Sequence, residues 1–235
     1  MGIMDEAVAQ ARSGMYRLLS IAFAYPGEEL RNLKDSLIPH GFVENAGKLK
    51  GYRLKSLAGS VKKIMETYGN HGFNRLESEY LDLFGPEKND GCNPYEVGYL
   101  EGPLFMNTRE LADIAGFYRA FGLEVSEKNK ERVDHISAEL EFMYALTLKE
   151  AYAIVKGRLE ELEICRDAQR KFLTDHLGRW TGSFRDEIQE KKGSMLYVKL
   201  GSLLDRFVKA EVKRLGAKPQ HIKPSSEKSV VKSFS

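Results

Sequence analysis

The stretch VDHISAELEFMYALTLKEAYA, residues 133–153, decides the fold class. Ile136, Leu140, Met143 and Ala151 recur at helical spacing along one stripe, while Phe142, Leu146 and Ala153 fall on others. Apolar residues on several faces predict a helix enclosed by its neighbours, not one resting on a surface. Such a helix must be covered by other helices or by a sheet, and the flanking sequence says which.

The cover is helical. From Glu6 to Tyr25, Ala7, Ala11, Met15, Leu18, Leu19, Ala22 and Phe23 repeat at i, i+3 and i+4, and Pro26-Gly27 ends the run. Weaker helical patterns follow over Glu28–Leu37 and Leu54–Tyr68, interrupted at Pro39-His40-Gly41 and again from Gly47 to Gly51. Arg75–Phe84 places Leu76, Tyr80, Leu83 and Phe84 on one face and stops at Gly85-Pro86. Thr108 is suited to cap a helix over Arg109–Phe121, with Glu110 in its first turn and Gly122 at its end. Leu159–Leu177 and Met195–Leu215 supply two more, the first with His176 and Trp180 docking the C-terminal part onto the core. No strand alternation exceeds a few residues and no segment repeats. The expectation is an all-α, single-domain multi-helix bundle over residues 1–216.

Two segments depart from this pattern. Between Gly85 and Pro103 fall four glycines and three of the seven prolines, so a long irregular loop is predicted inside the domain. Residues 217–235 hold Pro219, Pro224, four lysines and five serines, too little apolar surface to offset ordering, and are predicted to be a flexible basic tail.

A chain of 235 residues buries enough core to fold without staples, and a net charge of +2 gives no electrostatic footprint for nucleic acid. Cys92 and Cys165 stand far apart with no paired-thiolate spacing, so neither a disulfide framework nor a zinc site built on paired thiolates is expected. No apolar run approaches the roughly 20 residues of a membrane span, and Asp5, Glu6, Gln10 and Arg12 break up the N-terminal stretch. The expected compartment is the cytoplasm. Phosphate-binding glycine loops, a nucleophile elbow and a His-Glu-x-x-His pair are all missing, so a binding protein without cofactor is expected instead of an enzyme.

Charge is distributed unevenly. Glu77 to Glu101 contains seven carboxylates against Lys88 alone, net −6, interleaved with Tyr80, Phe84, Tyr95 and Tyr99. A basic, partly apolar peptide would suit such a surface. The plain alternative is an acidic helix and loop that are merely solvated.

A second constellation opens the central helix. Asp134 lies where a carboxylate meets unpaired backbone donors, and His135 and Glu139, four apart, share a face on which they can hydrogen-bond. Asp134 and His135 could receive a cationic peptide group and its polar neighbour. Equally, Asp134 caps the helix and His135 is a satisfied core residue. A metal held by His135 and Glu139 lacks further ligands at the right azimuth.

In order along the chain stand Tyr16-Arg17-Leu18-Leu19, Tyr25-Pro26, Tyr80-x-x-Leu83-Phe84, Cys92-Asn93-Pro94-Tyr95-Glu96 and Glu110-Leu111-Ala112 through Gly116-Phe117-Tyr118. Asp134-His135 leading into Glu139-Leu140-Glu141-Phe142-Met143 follows, then Phe172, His176 and Trp180. This series resembles the TorD/DmsD/NarJ family of chaperones for molybdenum-containing redox enzymes. The resemblance implies a TorD-like helical bundle. It also implies a cytoplasmic role in binding the N-terminal, twin-arginine leader of a molybdoenzyme catalytic subunit until its cofactor is loaded. It assigns leader recognition to Tyr80, Leu83, Phe84, Pro94, Tyr95, Asp134 and His135; Glu96 and Glu139 join them from the acidic segment and the shared helix face.

Two departures stand out. Val133 replaces the proline that many relatives carry before the Asp-His pair, and Tyr80 stands where some carry tryptophan. The rival readings are an assembly scaffold that grips a folded subunit without reading a leader, and a small metal-dependent helical enzyme using His135, Glu139 or His176. The long loop and the linker near Glu124 would permit exchange of helices in a homodimer.

Overall fold

The structure is a computed structural model that describes residues 3–27, 37–67, 72–85, 91–100, 104–124 and 131–222. The described residues form helices and no strand. They are α1 (Ile3–Phe23), α2 (Leu37–Lys48), α3 (Lys55–Glu66), α4 (Gly72–Phe84), α5 (Leu104–Ala120), α6 (Ile136–Lys156), α7 (Leu159–Asp175), α8 (Leu177–Glu190) and α9 (Met195–Leu215). Short 3-10 turns at Lys50–Tyr52 and Glu96–Tyr99 complete them.

The stretch that decided the fold class is α6, and it is the centre of the bundle. It buries Ile136, Leu140, Phe142, Met143, Leu146, Ala151 and Ala153. Helix α1 lies along one side of it and α7 along another, and α7, α8 and α9 pack on one another in turn. Phe142, Phe172, Phe117 and Tyr118 form an edge-to-face aromatic cluster between α5, α6 and α7. Left-handed glycines at Gly157 and Gly216 end α6 and α9, where a Cβ would be strained.

Several boundaries differ from the sequence expectation. Pro39-His40-Gly41 does not interrupt a helix but lies in the first turn of α2, where proline's missing N–H is no loss. Thr108 is not a cap: α5 begins four residues earlier, at Leu104. The run expected from Leu159 to Leu177 stops at Asp175. There His176, at φ −132° and ψ −102°, turns the chain into a separate helix, α8. Gly178 and Gly182 hide the stripe of α8, which is Leu177, Trp180, Thr181, Phe184 and Ile188. The helix expected over Glu28–Leu37 lies outside the described residues except for Leu37 itself, which opens α2.

The segment after α9 does not leave the body at Gly216. Lys218 N donates to Thr174 Oγ1, Ile222 N donates to Arg179 O, and the Ser183 hydroxyl donates to Ile222 O. Ala217 and Ile222 pack against the core. The expected tail thus begins as a docked strand of chain through Ile222; residues 223–235 lie outside the described residues.

Candidate functional site

The site is built where the irregular segment 91–100 meets the start of α6. The loop folds on itself first: Asn93 Oδ1 accepts from Tyr95 N at 3.1 Å, and Asn93 O accepts from the Tyr99 hydroxyl at 2.8 Å. Gly98 leaves room for the Asn93 side chain, since a Cβ would sit 1.8 Å from Asn93 Nδ2. Glu187 of α8 then anchors the loop, accepting from Asn93 N at 3.2 Å and from the Tyr99 hydroxyl. Cys92 N donates to Leu83 O, tying the loop to the end of α4.

The loop is pinned to α6 by main-chain bonds on both sides of Tyr95. Ile136 N donates to Pro94 O at 2.9 Å and Glu96 N to Asp134 O at 3.0 Å, a short antiparallel bridge between Tyr95 and His135. Asp134 is enclosed, with its carboxylate accepting from Val97 N at 3.2 Å and paired with Arg132 at 2.8 Å. The Arg132 guanidinium lies over the Tyr95 ring, 4.6 Å from its centroid.

His135, not Asp134, caps α6: its Nδ1 accepts from Ser137 N at 3.2 Å and faces the Ser137 hydroxyl at 2.6 Å. Burial, aided by Arg132, lowers its pKa to about 4, so the ring is neutral and carries its proton on Nε2, which has no partner among the described residues. The expected hydrogen bond between His135 and Glu139 is replaced by one from Trp180 Nε1 to Glu139 at 3.2 Å. This is the partner the indole was expected to need.

Of the nine residues named from sequence, Pro94, Tyr95, Glu96, Asp134, His135 and Glu139 come together. Tyr80, Leu83 and Phe84 sit beside them on α4. Their exposure differs from expectation. Glu96, Asp134, His135 and Glu139 are fully buried, and Tyr80 and Leu83 are core residues; Tyr95 and Phe84 are half-buried. Among the described carboxylates of the acidic segment, Glu96 faces inward; Glu87, Asp90 and Glu101 lie outside the described residues. What stays accessible over Tyr80 is Tyr25, whose hydroxyl donates to Glu77, and Tyr95, whose hydroxyl reaches Glu131 at 3.3 Å. Asp134 cannot receive an incoming cation without losing Arg132.

Sequence spacing did not reveal the second half of the network. His176, at the α7–α8 break, presents Nδ1 to Glu96 and Nε2 to Asp113 of α5, both at 3.1 Å. Arg179 lies 3.6 Å from Glu96 and 3.3 Å from Glu110. The carboxylates Glu96, Asp113 and Glu110 raise the His176 pKa against the opposing effect of its burial. The visible signal was the His176–Trp180 pair; nothing in the chain order relates either residue to positions 96 or 113. Glu110, Asp113, Asp175, Arg179 and Lys218 border a surface groove of about 720 Å³ beside this network. Among the described residues no group of three or more His, Cys, Asp or Glu side chains could hold a metal ion.

These features define a helical bundle that displays an aromatic and carboxylate surface on a loop clamped to its central helix. The chain belongs to the nitrate reductase delta subunit family, whose model matches residues 52–186, as the TorD/DmsD/NarJ resemblance implied. It is 37% identical to the perchlorate reductase assembly chaperone protein of Dechloromonas aromatica, over 90% of this chain and 95% of that one. It is 32% identical to the chlorate reductase assembly chaperone protein of Ideonella dechloratans, over 63% and 75% of the two chains. With the selenate reductase assembly chaperone protein of Thauera selenatis the identity is 34%, over 60% and 70%. No solved structure matches the chain at a significant level.

Proposed function

We propose that this protein is a cytoplasmic chaperone, not an enzyme. In this reading it binds the N-terminal leader, of the twin-arginine kind, of a molybdenum-containing oxidoreductase's catalytic subunit and assists cofactor loading before export. The relatives, named as assembly chaperones of perchlorate, chlorate and selenate reductases, support the client class. No described helix is long and apolar enough to cross a membrane, in keeping with a role away from the bilayer.

The observation that carries the leader reading is the surface over Tyr80. Tyr25 and Tyr95 stand there with Glu77 and Glu131, on a frame fixed by the Tyr95–His135 bridge. Aromatic rings beside carboxylates suit a segment that combines arginines with apolar side chains. The buried members of the site, Asp134, His135, Pro94, Glu96, Glu139, Tyr80 and Leu83, act by holding this surface in place, with Phe84 at its edge. Calorimetric titration with a synthetic leader tests the reading. Binding by the leader peptide, lost when the client lacks its N-terminal segment, supports it; undiminished binding of the truncated client would favour the scaffold reading instead.

A further inference from the structure

Glu96 and Glu139 come from separate elements, the loop and the first turn of α6, and both are fully buried. Glu96 gives Oε2 to His176, and Glu139 gives Oε2 to Trp180. Their remaining oxygens, Oε1 of each, are buried without a hydrogen-bond partner among the described residues, and the two acids are held as neighbours by His176 and Trp180, four residues apart at the start of α8. Two buried carboxylates in contact cannot both be charged at modest cost, whereas one proton between them satisfies both oxygens.

The surroundings decide which acid holds it. Glu96 faces the cations His176 and Arg179, with Glu110 of α5 as the opposing charge. Glu139 faces an indole N–H and the carboxylates of Glu96 and Asp134, the latter tied to Arg132; His135 beside it is neutral. Tyr118 of α5 approaches the same group, its hydroxyl donating to Val133 O. Burial raises both acids, and the cations beside Glu96 leave Glu139 the better holder of a shared proton.

We propose that the Glu139–Glu96 acid pair is a proton-operated latch: it holds residues 92–99 against the start of α6, and loss of its proton releases the loop and the peptide surface it carries. The regulatory part rests on the reading of that surface as the peptide site. His176 reinforces the latch, because both of its ring nitrogens face carboxylate oxygens and only the imidazolium can donate to both. Through Asp113 it also joins the latch to the groove. The sign follows from the protons held. The raised Glu139 and the raised His176 each bind a proton in the folded state that the unfolded chain would release, so the latch is tight at acidic and neutral pH. It loosens as pH rises through their folded-state values.

The test uses the full chain, labelled with 13C at the glutamate side-chain carboxyls and followed by NMR from acidic to alkaline pH. One glutamate carboxyl should titrate far above the ordinary range, and Glu139→Gln should remove it. Trp180, the only tryptophan, should change fluorescence with the same midpoint. Hydrogen exchange of residues 92–99, corrected for its intrinsic pH dependence, should rise about tenfold per pH unit above that midpoint. In Glu139→Gln, whose amide can donate to Glu96 at every pH, the rise with that midpoint should be absent. The latch is overturned if no glutamate titrates above the ordinary range, or if the glutamine variant opens with the same pH profile. Should that variant not fold, the wild-type carboxyl titration decides alone. Loop opening with unchanged affinity for a leader peptide would uphold the latch and sink the assignment of the peptide site.

Discussion

At the scale of single residues, the site separates groups that touch a partner from groups that hold the frame. Tyr95 is half-exposed, lies under Arg132 and stands on the Pro94–Glu96 bridge, so it can bury area against a ligand with little loss of conformational freedom. Tyr95→Ala should weaken leader binding about tenfold, roughly 1.4 kcal/mol, while circular dichroism and Tm stay close to wild type. His135 behaves in the opposite way. Its folded-state pKa of about 4 lies below the 6.5 of the free side chain, so its contribution is present above pH 6.5 and is lost as pH falls towards 4. That contribution is on the order of 3 kcal/mol. His135→Asn, which keeps a capping acceptor, should flatten the decline in urea stability over this window. A decline as steep as that of wild type would show that another group is titrating.

At the scale of elements, the junction between α7 and α8 matters most, because it places His176, Arg179 and Trp180 on the loop. The turn is close: a Cβ on Gly178 would sit 2.2 Å from Leu173 O, a backbone atom that cannot move aside cheaply. Gly178→Ala should cost about 2–4 kcal/mol in denaturant unfolding and change Trp180 fluorescence, since relief of the clash must shift α8. Gly98 plays the corresponding part in the loop, where the obstacle is the Asn93 side chain. Gly98→Ala should leave global stability nearly unchanged and raise hydrogen exchange locally in residues 92–99, as expected when a flexible side chain gives way. Gly178, together with Gly182, also explains why α8 was hidden in the sequence: both interrupt its apolar stripe, Gly178 where the backbone must pass closely.

At the scale of the whole molecule, a buried ionic cluster at the other end of the bundle joins four helices. Arg12 of α1 binds Glu150 of α6 at 2.5 Å and Glu211 of α9 at 2.7 Å, with Gln169 of α7 against its other nitrogen. Arg12→Met would leave Glu211 buried without its cation and Glu150 with Arg166 alone at close range, and should cost about 3–5 kcal/mol, read as a lower midpoint in urea. The Arg12 and Arg166 guanidiniums and the Gln169 amide lower the Glu150 pKa to about 2 despite its burial. Its contribution is thus present above pH 4.5 and is lost as pH falls towards 2. Acid therefore acts through His135 and then Glu150, and alkali through the Glu139 latch and His176. Unfolding free energy against pH should follow a bell with its maximum near neutrality.

The sequence by itself determined the helical class, the central place of residues 133–153, the end of α9 at Gly216 and the family, because these depend on local periodicity, glycine chirality and the order of short motifs. It also brought Pro94, Tyr95, Glu96, Asp134, His135 and Glu139 forward as candidates. Only the tertiary structure decided which of them face inward, that Asp134 is occupied by Arg132, that α8 is a separate helix, and that Glu96, Glu139, His176 and Asp113 meet. Burial and pairing arise from contacts between positions as distant as 96 and 176, and neither charge pattern nor helical spacing encodes a contact between elements whose packing is fixed by the core they share.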